Sequence, residues 1–200
     1  MKLKRNDNCP CESGKKYKKC CYLDPVKNAE IIRAEYRESS YKGMVEQLSK
    51  PMEVYELKVV LVRMRMEDIE GEVSRIFKVK GNHSLYDLHL GIQQAFSWDN
   101  DHMFSFYFGG KLFDRENEYS GAPTGEHMIP SMGKPHKSAL AAEIRDLSLS
   151  INSKFLYLFD YGDELVHEIE VTNIQDASDE DSEHPALIAE FGEPPSQYDY

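Results

Sequence analysis

All four cysteines of the chain lie between positions 9 and 21, at Cys9, Cys11, Cys20 and Cys21. Thiolates are preferred zinc ligands, and four of them close a tetrahedral site without leaving an open position. The amino end lacks the apolar stretch of a secretory signal, so we expect the thiols to stay reduced. Clustered reduced cysteines are more often metal ligands than disulfides. The spacing therefore predicts one structural zinc ion.

The peptide between the two cysteine pairs carries the residues needed to bring the pairs together. Ser13-Gly14 supply a turn, and Gly14 can adopt the positive φ of a tight reversal. Four lysines project outward and would offset the charge of the thiolates: Lys15, Lys16, Lys18 and Lys19. So short a peptide has little apolar surface, so metal binding is expected to supply its folding free energy. The alternative is disulfides, although the adjacent Cys20 and Cys21 suit each other poorly.

The run from Cys9-Pro10-Cys11 through Ser13-Gly14-Lys15-Lys16-Tyr17-Lys18-Lys19-Cys20-Cys21 resembles the SEC-C motif. That motif is the zinc-binding tail of the bacterial protein-export motor SecA, and it occurs in many other bacterial proteins. The resemblance covers roughly residues 5–22 and implies zinc binding and docking to a partner. Two positions depart from it: Asn8 stands where proline is common, and Glu12 where glycine is common.

Other residues able to do acid–base or metal chemistry fall in two predicted loops. Asp99 and His102 lie in the first loop, Asp160 and Asp163 lie in the second, and His167 follows. If the loops converge, His102, Asp160 and His167 could bind a metal or exchange protons. The simpler interpretation, which we favour, is that the aspartates cap turns and the histidines form hydrogen bonds within or beside a sheet.

Hydrophobic periodicity indicates which elements position these residues. A period-two pattern from about Val54 predicts a long strand, and residues 73–79 predict a second strand. Ser84 and Asp87 resemble a capping box that starts a helix with an apolar stripe through Phe96. Residues 103–108 predict an aromatic strand, and Gly109-Gly110 predict a hairpin that leads into residues 111–113. The later segments are predicted as a loop at 114–137, a short helix at 139–147, and strands at 155–159 and 165–174.

Four segments are predicted: a zinc-binding motif at 1–24, a helical connector at 25–51, a main domain at 52–175, and a flexible acidic tail at 176–200. Strands followed by one helix and further strands indicate an α+β fold with a mixed or antiparallel sheet and one main packed helix. No apolar run is long enough to span a membrane. A cytoplasmic location is the expectation.

Four blocks of the main domain resemble the plasmid pRiA4b ORF-three-like family: residues 55–59, 84–89, 92–99, and 159–163 with His167. The resemblance covers about residues 54–174 and implies a compact α+β fold without an established activity. Phe104 stands where the family often has a second histidine after His102, which weakens a metal site there.

Charge is unevenly distributed along a chain of net charge −11. Residues 1–22 hold seven Lys or Arg, whereas residues 160–200 hold thirteen Asp or Glu and neither Lys nor Arg. The leading hypothesis is a non-catalytic adaptor whose basic zinc module docks on a protein or ribonucleoprotein. The alternatives are an enzyme that uses the loops at 98–102 and 160–167, and a nucleic-acid binder of modest affinity.

Overall fold

The computed structural model of the chain describes residues 3–24, 27, 31, 51–123 and 137–198. The chain divides into two compact units, Met1–Pro51 and Met52–Tyr200. Apart from Lys27, Ile31 and Pro51, the predicted helical connector at 25–51 lies outside the described residues. Residues 124–136 of the predicted long loop lie outside them as well.

The described part of the first unit is a small knuckle, residues 3–24, which we call the head. An isolated antiparallel bridge joins Asn8 to Lys16. Two short 3-10 helices follow, Tyr17–Lys19 and Cys21–Leu23. Cys9, Tyr17 and Cys21 are its buried apolar residues. So small a core gives the head little hydrophobic stabilisation of its own.

The second unit is one sheet that packs against a single main helix. The sheet follows the order β6-β5-β4-β7-β8-β1-β3-β9, with β2 paired to β1. The described strands are β1 Glu53–Met64, β2 Glu67–Asp68, β3 Ser74–Lys80, β4 Phe104–Tyr107, β5 Glu118–Gly121, β6 Lys137–Ser138, β7 Lys154–Phe159, β8 Leu165–Asp176 and β9 Ala186–Phe191. The pairings are antiparallel except for that of β5 with β6. A mostly β domain with one main helix is the predicted architecture.

The main core lies on one face of this sheet, as the alternation along the strands determines, and a smaller buried cluster of Tyr107, Leu158 and Val166 lies on the other face. In β1, Tyr55, Leu57, Val59 and Leu61 are buried, and the residues between them are mostly half-exposed. The main helix, α1, spans Leu85–Phe96 and contributes Leu85, Leu88, Ile92 and Phe96 to the same core cluster. Burial of these apolar side chains is the main stabilising contribution.

The predicted start of α1 is confirmed. The Ser84 hydroxyl accepts from the Asp87 amide at 3.1 Å, and the Asp87 carboxylate accepts from the Ser84 amide at 2.7 Å. This reciprocal capping box pairs two amides that would otherwise lack partners at the helix end. Ser97 ends the helix with φ 57°.

The predicted hairpin after β4 is wrong. β4 pairs with β5, not with residues 111–113. Phe113 takes φ 62°, which a strand cannot accommodate, and the Phe108 amide donates to the Asn117 carbonyl at 3.0 Å to close a wider loop. β5 and β6 lie within the segment predicted as a loop.

Two other segments differ from their predictions. The helix expected at 139–147 is only a 3-10 helix at Ile144–Leu147. The segment 176–200, expected to be flexible, contributes β9, which pairs with β3. The short apolar run of β9 is a weak sequence signal because acidic residues flank it on both sides.

Candidate metal centre

Backbone hydrogen bonds between residues close in sequence position the first cysteine pair of the head. The Cys9 amide donates to the Lys15 carbonyl at 2.9 Å, and the Glu12 amide donates to the Cys9 carbonyl at 3.2 Å. Gly14 takes φ +72°, the conformation expected of its turn. The reversal returns the chain to Lys16, beside Asn8, and so brings the second cysteine pair towards the first.

The two 3-10 helices position the second pair. The Cys20 amide donates to the Tyr17 carbonyl at 3.0 Å. Cys20 lies between the helices, and Cys21 begins the second one. Tyr17 is buried, and its ring meets the Tyr22 ring edge-on with centroids 5.6 Å apart. These contacts let adjacent cysteines face one site.

The four thiol sulfurs lie within 4.8 Å of one another. Cys11 Sγ is 3.3 Å from Cys9 Sγ and 3.4 Å from Cys20 Sγ. These distances exceed the ~2.05 Å of a disulfide bond, and all four cysteines are free. Tetrahedral zinc with Zn–S of about 2.3 Å places its sulfurs about 3.8 Å apart. The donor set and its spacing therefore fit one such ion.

The thiols have opposed proton affinities. A hydrogen bond with the Ser13 hydroxyl is the main cause that lowers the pKa of Cys11 to about 6, and the neighbouring thiols assist. A hydrogen bond with the Cys9 thiol, together with burial, raises the pKa of Cys21 to about 12. Sulfurs this close cannot all carry negative charge without a compensating cation. A divalent ion bound by the four sulfurs would compensate their negative charges.

The departure from the SEC-C pattern at Glu12 has a conformational cost. Glu12 takes φ 58°, in the left-handed region where glycine is favoured. A non-glycine residue there costs roughly 1 kcal/mol. The glycine common in SEC-C motifs is therefore explained by backbone geometry, and with Glu12 in its place the four sulfurs still cluster.

The lysines between the cysteine pairs form an exposed basic surface: Lys15, Lys16, Lys18 and Lys19. We call these four residues the lysine surface. Lys16 Nζ donates to Asn8 Oδ1 at 3.1 Å. Beside them, the Arg5 guanidinium lies over the Tyr22 ring, 4.9 Å from its centroid. The head thus presents positive charge to solvent around its sulfur cluster.

In the second unit the structure brings together only part of the predicted alternative site. His102 Nε2 lies 3.4 Å from Asp160 Oδ2. The Asp160 carboxylate also accepts from the Gly162 amide at 2.8 Å, which is the turn-capping role predicted for it. Asp163 instead accepts from Arg65 Nε at 3.2 Å.

His167 lies in a different environment. Its side chain is fully buried among aromatic rings, 5.1 Å from the Phe96 ring, 5.4 Å from the Trp98 ring and 5.2 Å from the Tyr157 ring. Burial lowers the pKa of His167 to about 3, so the imidazole is neutral. Its position in β8, two residues from Leu165 and Ile169, is the sequence signal that could have placed it on the core face.

The first loop is held by residues that sequence reasoning missed. The Asp99 amide donates to Gln197 Oε1 at 2.6 Å, and Gln197 Nε2 donates to the Asp99 carbonyl at 3.2 Å and to Asp101 Oδ1 at 3.0 Å. The Tyr198 hydroxyl bonds to Asp101 and lies 3.3 Å from His102 Nε2. No local sequence pattern around Gln197 predicts these contacts with the first loop.

Among the described residues, Cys9, Cys11, Cys20 and Cys21 are the only group of three or more potential ligands close enough to hold a metal ion. The set Asp99, His102, Asp160, Asp163 and His167 does not form such a group. No helix within the described ranges is long and apolar enough to cross a bilayer.

The chain thus combines a cysteine knuckle with a mostly antiparallel sheet that packs against one main helix. The family model described as "SEC-C motif" matches residues 5–23, and the model described as "Plasmid pRiA4b ORF-3-like protein" matches residues 54–197. The chain therefore belongs to the plasmid pRiA4b ORF-3-like family and carries an SEC-C motif, as the sequence resemblances predicted.

The fold is also similar to a crystal structure of a protein of unknown function from Methanosarcina mazei Go1. The two share 22% sequence identity with a TM-score of 0.53, over 70% of this chain and 71% of that chain. At this identity the likeness concerns the fold alone. No curated protein matches the chain.

Proposed function

We propose that the head binds one zinc ion as a structural centre and serves as a docking module for a protein or ribonucleoprotein partner. The observation behind the proposal is the cluster of four thiol sulfurs within 4.8 Å, in the same short segment as the exposed lysine surface. The ligands would be Cys9, Cys11, Cys20 and Cys21. When bound, zinc would supply the cross-link that a peptide with so small a core lacks.

Four thiolates leave no coordination position for substrate, so the proposed centre is structural and not catalytic. The lysine surface belongs to the same short loop that carries the ligands. A folded loop holds those positive charges in a fixed arrangement, which favours recognition of an acidic protein surface or of phosphates. Docking is therefore proposed to depend on zinc through the fold of the head.

The enzyme alternative required His167 to join His102 and Asp160. Because His167 lies in the aromatic core and Asp163 binds Arg65, only the His102–Asp160 contact is left of that set.

Zinc affinity is expected to fall as the pH is lowered, because protons compete with the metal for the thiolates. At neutral pH Cys21, with its raised pKa, must release a proton on binding, whereas Cys11 is already ionised. Below about pH 6 Cys11 is protonated as well. Below that pH the zinc affinity should therefore fall by an additional factor of about ten for each unit by which the pH is lowered. Competition titrations with a chelator between pH 5 and 8 measure this dependence.

The control for this titration is Ser13→Ala. It removes the main hydrogen bond that lowers the pKa of Cys11, so the additional fall in affinity should begin at a higher pH. An affinity that does not change across this pH range would contradict thiolate ligation.

Reversing the charge of the lysine surface should weaken partner capture. In a variant with Lys15, Lys16, Lys18 and Lys19 all replaced by glutamate, we expect partner recovery in pull-downs to fall about tenfold or more, because four attractive charges become repulsive. Quantitative mass spectrometry of the recovered partners measures the loss. Zinc content should stay at one ion per chain, which separates a docking defect from loss of the site.

The matched control replaces the same four lysines by arginine, which preserves their charge. Sensitivity of capture to nuclease would identify the partner as a ribonucleoprotein, and resistance would identify a protein. Unchanged recovery with the glutamate variant would rule out the lysine surface as the docking site.

A further inference from the structure

β9 lies at the end of the described sheet. Its inner edge pairs with β3, and no other described strand pairs with it. A terminal strand of this kind presents a row of backbone donors and acceptors to which another strand can add. The opposite terminal strand, β6, is only two residues long and presents far fewer backbone donors and acceptors.

Large apolar side chains are exposed on and beside β9. Leu187 is 43% exposed, Ile188 47% and Phe191 50%, and Leu90 of α1 is 40% exposed. α1 lies against the start of β9, since a Cβ added to Gly91 would lie 3.3 Å from the Pro185 ring. Exposed apolar residues along the open edge of a terminal strand favour association, and natural edge strands usually carry charges that prevent it.

The strand is firmly held in position. Arg75 Nη1 donates to the Phe191 carbonyl at 3.1 Å and to the Gly192 carbonyl at 3.2 Å. Glu190, the single charged residue of β9, lies 3.9 Å from Arg75 Nε. A preorganised edge loses little conformational entropy when another strand adds to it.

The surroundings of β9 indicate the charge of its partner. Residues 176–200 contain eight Asp or Glu and neither Lys nor Arg. Glu180 and Asp181 precede the strand, and Glu193 follows it. Two copies of this edge would bring like charges together, whereas a basic chain would gain attraction at the two ends of the strand, where Glu180, Asp181 and Glu193 lie.

We propose that β9 is a docking edge for an extended, basic peptide segment of a partner protein, which adds to the sheet as a further strand. Backbone hydrogen bonds to β9 would provide much of the affinity. Leu187 pairs with Phe77 and Phe191 with Ser74, so the two exposed side chains lie on opposite faces of the sheet. Alternate apolar side chains of the peptide would cover the exposed apolar residue on one of these faces, and its basic side chains would meet the acidic flanks. This site is separate from the head and does not depend on the function proposed for it.

The test uses the full chain and a fluorescent eight-residue peptide of alternating lysine and valine. We expect saturable binding by anisotropy that weakens as salt rises. Hydrogen exchange should slow at residues 186–191 when the peptide is bound. A peptide of alternating glutamate and valine should not bind.

Two controls separate strand addition from simple charge attraction. The lysine–valine peptide with every backbone nitrogen methylated has the same charge but cannot donate backbone hydrogen bonds, so its binding should be lost. Ile188→Lys places a positive charge on the edge and should weaken binding about tenfold or more. Ile151→Lys, at a residue 52% exposed outside β9, should bind the peptide as the unmodified chain does.

Equal binding of the methylated peptide would overturn the proposal, and so would protection from exchange confined to other residues. Sedimentation of the chain without peptide provides a further test. A dimer that Ile188→Lys dissociates would identify a second copy as the occupant and overturn the assignment of a basic peptide.

Discussion

Replacing Cys21 by serine is expected to weaken zinc binding by a large factor and to destabilise the head. Cys21 is 3% exposed and is one of three residues in the only buried cluster described for the head. A serine hydroxyl stays protonated near neutral pH and is a poor zinc ligand, so three thiolates would remain. Apparent zinc binding free energies at such sites are about 10–16 kcal/mol. Loss of one ligand in four should weaken binding by a factor of roughly 100 or more.

The measurements for Cys21→Ser are zinc content, zinc affinity and hydrogen exchange across residues 3–24. Lys19→Ser is the matched control, because it introduces the same residue at an exposed position two places away. We expect the control to retain one zinc ion per chain and a protected head. If Cys21→Ser kept both the zinc affinity of the unmodified chain and the protection from exchange, the four-sulfur centre would be excluded.

The metal centre could be predicted from the sequence because every contact that builds it is local. The bonds from Cys9 to Lys15 and from Cys20 to Tyr17 span only a few residues. The cluster can therefore be predicted from residue type, spacing and one turn. The same holds for α1, whose capping box lies within four residues at Ser84 and Asp87.

The strand partners could not be predicted in this way. β4 is buried on both faces, so periodicity could not choose between residues 111–113 and β5 as its neighbour. β9 pairs with β3 across more than a hundred residues of chain. Its short apolar run is weak evidence for a strand unless the position of the sheet edge is known.

The alternative site shows a different kind of failure. His102 and His167 were grouped because both lie near predicted loops, but β8 turns His167 into the core along with Leu165 and Ile169. The period-two pattern of β8, applied strictly, predicts that His167 lies on the core face and therefore not beside His102. The position of Gln197 depends on the tertiary approach of the C-terminal segment to Asp99, for which the sequence contains no local pattern.

Arg75 is a buried cation that connects three elements of the second unit. It is 3% exposed. Its Nε donates to the Ala95 carbonyl at the end of α1 at 2.9 Å, and its Nη1 donates to the carbonyls of Ser74, Phe191 and Gly192. Its guanidinium also lies 4.8 Å from the centroid of the Phe96 ring. One planar side chain thus holds β3, α1 and β9 together.

Arg75→Lys is therefore expected to destabilise the second unit although it preserves the charge. The shorter ammonium cannot reach the carbonyls of both α1 and β9, so some buried acceptors lose their donor. We expect a loss of about 2–3 kcal/mol in the free energy of unfolding, which lowers Tm by roughly 5–10 °C for a domain of this size. Thermal and denaturant unfolding of the zinc-loaded chain measure both quantities.

The control is Arg115→Lys, at an exposed loop residue, which should change stability by no more than about 0.5 kcal/mol. Hydrogen exchange adds the positional test. Because Arg75 binds the last carbonyls of β9, Arg75→Lys should accelerate exchange at residues 186–192 more than in β1, which lies inside the sheet. If the two variants unfolded at the same temperature, or if β9 stayed as protected as β1, Arg75 would not be what holds this edge of the sheet in place.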